Sequence, residues 1–301
     1  MPHISDLLDK YQNLGPLPTG LLPRIHGADH RPKALLFDLY GTLMISASGD
    51  IDKSRLNPDD LMEAAQILHL PFPTTPDFFT GLLDLYRREI ITKKEKLLWS
   101  SDSKYPEIDI IEIWTCILQK LATDKMIAAM PSKSEVKNIA LVFEICTNPT
   151  APMPEMREII LALRASGIRR GIISNAQFYT PILCRYFLTG QWDGRPNLRE
   201  WFNPLLSFFS YRECRSKPDP QLFQEMCAGL AQYAIRPEEA LFIGNDVLKD
   251  LLPAAAVGLQ TVLFAGDARS LRLHAEDPAA ARFQADYVIT ELRQLKEICG
   301  L

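Results

Sequence analysis

Short, continuously apolar runs recur along the chain and alternate with segments of helical apolar spacing, and this alternation constrains the fold most. The first run is Ala34–Phe37, directly followed by an acid. Such runs are typical of strands buried on both faces, as in parallel sheets. Similar runs lie at Gly171–Ser174, Leu205–Phe209, Ala240–Gly244, Thr261–Phe264 and Tyr287–Ile289, with helices predicted over Pro154–Ser166, Tyr179–Phe187, Asp219–Ala231 and Lys249–Val257. The alternation predicts an α/β fold, a parallel sheet with helices on both faces.

A stretch of about a hundred residues interrupts this alternation. Its apolar residues follow helical spacing, and only Ala140–Ile145 resembles a strand. The first 33 residues are rich in proline and glycine. We therefore expect an N-terminal arm over residues 1–33, an α/β core over 34–49 and 149–301, and an inserted all-helical cap over 50–148.

Charged residues nearly balance, since 33 Lys and Arg against 37 Asp and Glu give the 301-residue chain a net charge of −4. Without a basic run, nucleic acid and anionic membrane surfaces are poor partners. The longest nearly apolar window, Leu251–Gly266, is interrupted and too short to cross a bilayer. Met1–Lys10 lacks the basic start and apolar core of a signal peptide. The six cysteines are scattered without a CxxC pair, so free thiols and a cytoplasmic location are expected.

Polar residues follow four of the predicted strands. They lie in the segments Asp38-Leu-Tyr-Gly-Thr42, Ser174-Asn175, Lys217-Pro-Asp219 and Gly244-Asn-Asp-Val-Leu-Lys-Asp250. In an open parallel sheet, ligands bind at the carboxyl ends of the strands. The sequence therefore predicts a site in which acids, a hydroxyl–amide pair and a lysine meet at one edge of the sheet.

Together these segments resemble the four motifs of the haloacid dehalogenase superfamily, in the right order, over residues 34 to about 265. Asp38-x-x-Gly-Thr-Leu resembles the first motif, Ser174 the hydroxyl of the second, Lys217-Pro the third and Gly244–Asp250 the acidic fourth. The resemblance implies a Rossmann-like core with a helical cap inserted between the first two motifs, acting as a lid. It also implies a hydrolase in which Asp38 attacks a small anionic substrate and forms a covalent ester that water cleaves.

The residue types suit such chemistry. Gly41 permits a tight turn, and the Thr42 hydroxyl can orient the Asp38 carboxylate or a substrate oxygen. Hydroxyl and amide groups can bind an anion, and a lysine can neutralise the charge shared by nucleophile and substrate. The predicted catalytic residues are Asp38, Thr42, Ser174 and Lys217, and the predicted substrate-binding residues are Tyr40, Gly41 and Asn175. Each has a structural alternative: a turn, a helix cap or an exposed side chain.

Two acids four residues apart, Asp246 and Asp250, suit a hard cation such as Mg²⁺. By resemblance to the phosphatases of the superfamily, the ligands would be Asp38, the carbonyl oxygen of Tyr40 and Asp246, with Asp250 as an alternative. Asn245 stands where many members have an acid, so the choice between Asn245 and Asp246 stays open. Both acids could instead favour the N-terminus of the following helix electrostatically.

Tyr40 departs from the phosphatase pattern, which places a second aspartate there as general acid and base. The pKa of a phenol is about 10, so a phenol is a poor base at neutral pH. The Asp-x-Tyr-Gly-Thr-Leu pattern matches the L-2-haloacid dehalogenases, which attack carbon and need no metal. The acidic fourth motif instead matches the magnesium-dependent phosphatases. Mg²⁺-assisted phosphoester hydrolysis is favoured, with metal-independent dehalogenation and a binding protein that has lost efficient catalysis as alternatives.

One further segment, Phe264–Arg272, follows the fifth predicted strand. We interpret it as a surface loop, although it could place Asp267 or Arg269 near the mouth of the site. The sequence makes no prediction of the oligomeric state.

Overall fold

A computed structural model describes residues 2–11, 14–26, 31–47 and 58–301. The chain divides into two compact units. A helical unit holds Met1–Leu14 and Ala47–Thr150, and a sheet unit holds Gly15–Ser46 and Ala151–Leu301. The sequence-based division into arm, core and cap stays a prediction, and its boundary at residues 49–50 lies outside the described residues.

The described part of the sheet unit contains one six-stranded sheet in the order β5-β4-β1-β6-β7-β8, with every neighbouring pair parallel. Its strands are β1 (Ala34–Phe37), β4 (Arg169–Ser174), β5 (Ser207–Phe209), β6 (Ala240–Gly244), β7 (Gln260–Phe264) and β8 (Tyr287–Ile289). Two short strands, β2 (Met44–Ser46) and β3 (Thr150–Pro152), form a separate pair. The central strand β1 is buried along its whole length, as its continuous apolar run predicts. The predicted α/β, Rossmann-like fold class is confirmed.

Helices connect these strands and cover the sheet. They are α6 (Met156–Ala165), α7 (Thr180–Thr189), α8 (Ser210–Glu213), α9 (Pro220–Ala231), α10 (Leu252–Ala256) and α11 (Leu295–Cys299), with a π-helical segment over Val247–Leu251. One buried cluster, which includes Leu36, Phe223 and Phe242, joins the central strands to α9, α10 and the π-helical segment. Since β1 and β6 lie in the middle of the sheet and are buried along their whole length, the residues that follow them emerge from a buried part of the unit.

The helical unit contains α1 (Pro2–Tyr11), α2 (Pro58–Ile67), α3 (Pro76–Ser100), α4 (Ile110–Thr123) and α5 (Lys133–Thr147). Three aromatic rings from three helices form its centre. The ring centroids of Trp114 and Phe143 are 4.7 Å apart, and those of Tyr86 and Phe143 are 4.6 Å apart. A capping box between Ser132 and Glu135 starts α5. The predicted strand Ala140–Ile145 is wrong, because these residues lie inside α5.

None of the helices that the structure describes is long and apolar enough to span a bilayer. None of the six cysteines, all of which lie in the described residues, forms a disulfide.

Candidate active site

The predicted site residues end or follow β1, β4, β5 and β6, four adjacent parallel strands whose carboxyl ends lie at the same edge of the sheet. The main-chain N–H of Asp38 still donates to Ile243 at 2.9 Å, so the strand pairing fixes the start of the first motif against the fourth. Asp38, Ser174, Lys217 and Asp250 are all buried. The structure therefore brings together the acids and the lysine that the sequence places far apart.

Lys217 links two of the acids. Its Nζ lies 2.5 Å from Asp38 Oδ1 and 2.6 Å from Asp250 Oδ1, and all three side chains are less than a tenth exposed. Burying a charged group is costly unless it is paired and hydrogen-bonded. One ammonium group between two carboxylates leaves this cluster with one negative charge in excess when all three groups are ionised.

This charge balance shifts the pKa values of the cluster. Burial raises the pKa of Asp250 to about 7; the Lys217 charge opposes that shift, and Asp38 adds to it. For Lys217, burial alone would lower the pKa, but Asp250 and Asp38 outweigh it and raise the pKa above its ordinary value. Lys217 is therefore a permanent cation at neutral pH, while Asp250 is poised to take up a proton.

Asn175 holds the main chain of Lys217. Its Oδ1 accepts the Lys217 N–H at 2.6 Å, and its Nδ2 donates to the Lys217 carbonyl at 3.2 Å. Ser174, the last residue of β4, is buried next to it and makes a long 3.5 Å hydrogen bond to the Asn175 carbonyl. The Asn175 amide, which the sequence predicts to bind substrate, thus positions the Lys217 main chain. Its place in the sequence does not indicate this role.

A tight turn carries the rest of the first motif. Gly41 has φ +86° and donates its N–H to Met44 at 2.6 Å. A Cβ at this position would lie 2.5 Å from Asn245 Nδ2, so glycine is required both by conformation and by space. The Thr42 hydroxyl lies 3.2 Å from Asn245 Oδ1 and 3.4 Å from Asp38 Oδ2. It is therefore the neutral Asn245 that faces the Asp38 loop.

Asp246 and Asp250 have other partners. Asp246 Oδ1 accepts the Lys249 N–H at 2.8 Å and lies 3.0 Å from His274 Nε2. Asp250 uses Oδ1 for Lys217 and Oδ2 for the main-chain N–H of Asp246, at 3.1 Å. Asp246 thus caps the start of the π-helical turn, and Asp250, inside that turn, accepts the main-chain N–H of Asp246.

Tyr40, in place of the second acid, is half-buried and lies within hydrogen-bond distance of α7. Its hydroxyl is 3.0 Å from Thr180 Oγ1, and Thr180 in turn accepts the N–H of Gln177. This network connects the first motif to the loop that follows Ser174. The sequence analysis did not single out Thr180.

The segment Phe264–Arg272 is not the surface loop that we predicted. Asp267 and Ser270 are 1% and 4% exposed, and the Ser270 carbonyl accepts a hydrogen bond from Asn245 Nδ2 at 2.6 Å. The main chains of Arg272 and Asn245 are also hydrogen-bonded, at 2.9 Å. This loop therefore packs directly beside the first motif.

The fold and these contacts define an α/β enzyme with buried carboxylates and a lysine at the carboxyl edge of its sheet. The chain belongs to the haloacid dehalogenase-like hydrolase family, whose model matches residues 32–258. The predicted family and the prediction of a hydrolase are confirmed.

Two curated relatives are phosphatases by name. The chain is 32% identical over 148 residues to a glyceraldehyde 3-phosphate phosphatase from Pyrococcus furiosus, which covers 48% of this chain and 53% of that protein. It is 39% identical over 69 residues, 23% of this chain and 29% of the relative, to a ribulose-1,5-bisphosphate 5-phosphatase from Halopiger xanaduensis. The first match thus spans about half of its relative's length, and the second spans less than a third.

A solved structure shares the fold. The 2-haloacid dehalogenase from Pseudomonas syringae pv. Tomato superposes with a TM-score of 0.56 at 17% identity, over 89% of this chain and 98% of that one.

Proposed function

We propose that this protein hydrolyses small, anionic phosphomonoesters through a covalent intermediate on Asp38. The Lys217 ammonium group, buried between Asp38 and Asp250, carries the proposal because it supplies positive charge where a nucleophilic carboxylate meets an anion. The names of the two curated relatives support the phosphoester as the bond that is cleaved.

Asp38 acts in two steps in this proposal. One of its oxygens attacks phosphorus; the ester oxygen leaves with the bonding electrons and takes a proton from solvent. Water then attacks the aspartyl phosphate, which releases inorganic phosphate and restores the carboxylate. Splitting hydrolysis in this way replaces one difficult step by two easier ones.

Lys217 provides the electrostatic stabilisation. Its raised pKa keeps it charged at neutral pH, so it offsets the repulsion between the Asp38 carboxylate and the substrate anion. Asn175 serves the same end indirectly, because its amide fixes the Lys217 main chain. Tyr40, Gly41 and Ser174 are the proposed contacts of the substrate.

Magnesium assistance, expected from the resemblance to phosphatases, asks for a second carboxylate beside Asp38, with waters and substrate oxygens completing the shell. Both carboxylate oxygens of Asp250 already have partners, since Oδ1 accepts from Lys217 and Oδ2 accepts from the Asp246 N–H. Asp246 Oδ1 likewise contacts Lys249 and His274. The residue facing the Asp38 loop is Asn245, whose amide oxygen accepts from Thr42. This donor set does not fit a magnesium site, so we route no step through a metal.

A second candidate reaction is metal-independent dehalogenation of a small halogenated acid. Two observations favour it: Tyr40 stands where an acid would protonate the leaving group, and the neutral Asn245 faces the Asp38 loop. In this reaction an Asp38 oxygen attacks carbon and halide leaves with its electrons. Halide needs no proton, so a phenol at position 40 is no handicap.

We place the enzyme in the cytoplasm as part of the same proposal. Its six free thiols suit a reducing compartment.

The test is turnover of an aryl phosphate by the wild type and Asp38→Asn, each with magnesium and with a chelator. We expect release of phosphate by the wild type in both conditions and none by the variant. Phosphate release that requires magnesium would contradict our inference that the site works without a metal. No phosphate release together with halide release from 2-chloropropionate would select dehalogenation. Release of neither product would overturn both proposed reactions and favour a binding role.

A further inference from the structure

The N-terminal segment Gly15–Arg24, here called the strap, is bound to the sheet unit along its length. Arg24 exchanges two main-chain hydrogen bonds with Val288 of the edge strand β8, at 2.8 and 3.0 Å. The Thr19 hydroxyl donates to the Ala265 carbonyl at 2.9 Å, directly after β7. The strap therefore contacts the segment that follows β7 as well as the edge of the sheet.

A buried carboxylate joins the strap to that loop. Asp267 Oδ1 accepts the Leu17 N–H at 3.2 Å, and its Oδ2 lies 3.0 Å from the Arg269 guanidinium. Arg269 also donates to the Gly15 carbonyl, and the Ala268 N–H donates to Leu17 at 2.9 Å. A buried charge with this many partners fixes the loop and the strap to each other.

The loop continues these contacts to the nucleophile. The Ser270 N–H donates to the main-chain carbonyl of Asp267 at 3.2 Å, and the Ser270 carbonyl accepts from Asn245 Nδ2 at 2.6 Å. Asn245 in turn accepts from Thr42, whose hydroxyl contacts Asp38. A side chain at Gly41 would meet Ser270 Cβ at 2.6 Å, so the loop also packs against the turn itself. A continuous chain of contacts thus runs from Leu17 to Asp38.

We propose that Asp267 is a positioning residue for the Asp38 reaction and that Leu17, in the strap, holds the Asp267 carboxylate in place. Tied to Leu17 and Arg269, Asp267 holds Ser270 where Asn245 and Thr42 orient the nucleophile. This inference rests on the proposed function in taking Asp38 as the nucleophile. The strap and Asp267 both lie outside residues 32–258, the part of the chain that the family model matches.

Two substitutions test the chain of contacts at different points. Leu17→Pro removes the N–H that Asp267 accepts, together with the half-exposed leucine side chain, and keeps the carbonyl that accepts from Ala268. Because Leu17 precedes Pro18, its backbone is restricted to the extended region in which a proline fits. Asp267→Asn removes the charge with little change of shape. Leu22→Ala is the matched control, because Leu22 lies in the same strap with 83% of its surface exposed. Each protein is assayed for kcat and KM on an aryl phosphate and for the Asn245 side-chain amide signals in a ¹⁵N NMR spectrum, assigned by their loss in Asn245→Asp.

We expect kcat to fall about tenfold in Leu17→Pro and Asp267→Asn with KM nearly unchanged, and the Asn245 amide signals to shift. Leu22→Ala should match the wild type in all of these. Unchanged Asn245 signals and unchanged kcat in Leu17→Pro would overturn the inference, whatever the stability of Asp267→Asn. If the wild type turns over no aryl phosphate, the proposed function fails and the Asn245 signals alone decide the positioning role.

Discussion

At the scale of single residues, the site is governed by one buried cation shared between two buried acids. Lys217 cannot neutralise both Asp38 and Asp250, and the protein resolves the excess charge at Asp250, whose pKa burial raises to about 7. Main-chain and amide contacts help to fix this cluster: Asn175 holds the Lys217 main chain, and the Asp246 N–H donates to Asp250. Such a preorganised cluster needs little rearrangement when charge develops.

Asp250 gives the stability a defined pH dependence. Because its folded-state pKa lies above the ordinary 3.8, the folded protein binds this proton more tightly than the unfolded chain does. The stability that this proton contributes is complete below about pH 4 and is lost as the pH rises through about 7. We therefore expect the melting temperature of the wild type, relative to Asp250→Asn, to fall between pH 5 and pH 8.

Asp277→Asn is the control for that titration. Main-chain hydrogen bonds from Ala280 and Ala279 lower the pKa of Asp277, so it stays ionised throughout this range. The difference between the wild type and Asp277→Asn should be constant from pH 5 to pH 8. A wild-type advantage over Asp250→Asn that is equally constant, or that grows with pH, would contradict the charge balance described for the cluster.

At the scale of elements, close backbone approaches set the position of β4 and hence of Ser174 and Asn175. A Cβ at Gly171 would lie 2.2 Å from the carbonyl oxygen of Leu206, so Gly171→Ala must displace main chain. We expect a loss of about 1–3 kcal/mol in the free energy of unfolding. Gly81→Ala, at an exposed point of α3 with open space around it, should instead add about 0.5–1 kcal/mol.

Denaturant unfolding of the two glycine variants measures both changes. A Gly171→Ala protein as stable as the wild type would contradict the close packing of β4 against Leu206. The comparison separates this contact from the general effect of replacing glycine by alanine.

At the scale of the whole molecule, burial protects three of the six thiols. Burial raises the pKa of Cys184 and Cys299 to about 12, whereas Cys116 and Cys214 are exposed. Since the thiolate is the reactive form, iodoacetamide at pH 8 should modify Cys116 and Cys214 in the native protein and reach Cys184 and Cys299 only after unfolding. Peptide mass mapping measures this, and rapid native modification of Cys184 would contradict the packing of α7.

The sequence allows the sheet and the family motifs to be predicted because their signals are local. An apolar run such as Ala34–Phe37 predicts a strand buried on both faces, and the acid that follows it indicates the edge of the sheet where ligands bind. Ala140–Ile145 was misassigned for a local reason too: all of Ile139–Thr147 is buried in α5, so no polar face reveals the helical period.

The rest of the site depends on contacts between distant parts of the chain. Asp267 and Leu17 are 250 residues apart, and nothing in the spacing around Asp267 distinguishes it from a loop acid. Likewise, the adjacent residues Asn245 and Asp246 are equally plausible metal ligands by sequence. Only the hydrogen bonds of Asn245 with Thr42 and Ser270 distinguish the surroundings of the two side chains. Roles of this kind are set by tertiary packing.

The most direct test of the central proposal is to trap the covalent intermediate. Wild-type protein mixed with an aryl phosphate is quenched in acid within the turnover time, and the peptide that contains residue 38 is examined by mass spectrometry. We predict one phosphoryl group on Asp38 in the wild type and none in Asp38→Asn, which should also release no phosphate. Steady turnover with an unmodified Asp38 at every quench time, or turnover retained by Asp38→Asn, would contradict the covalent mechanism.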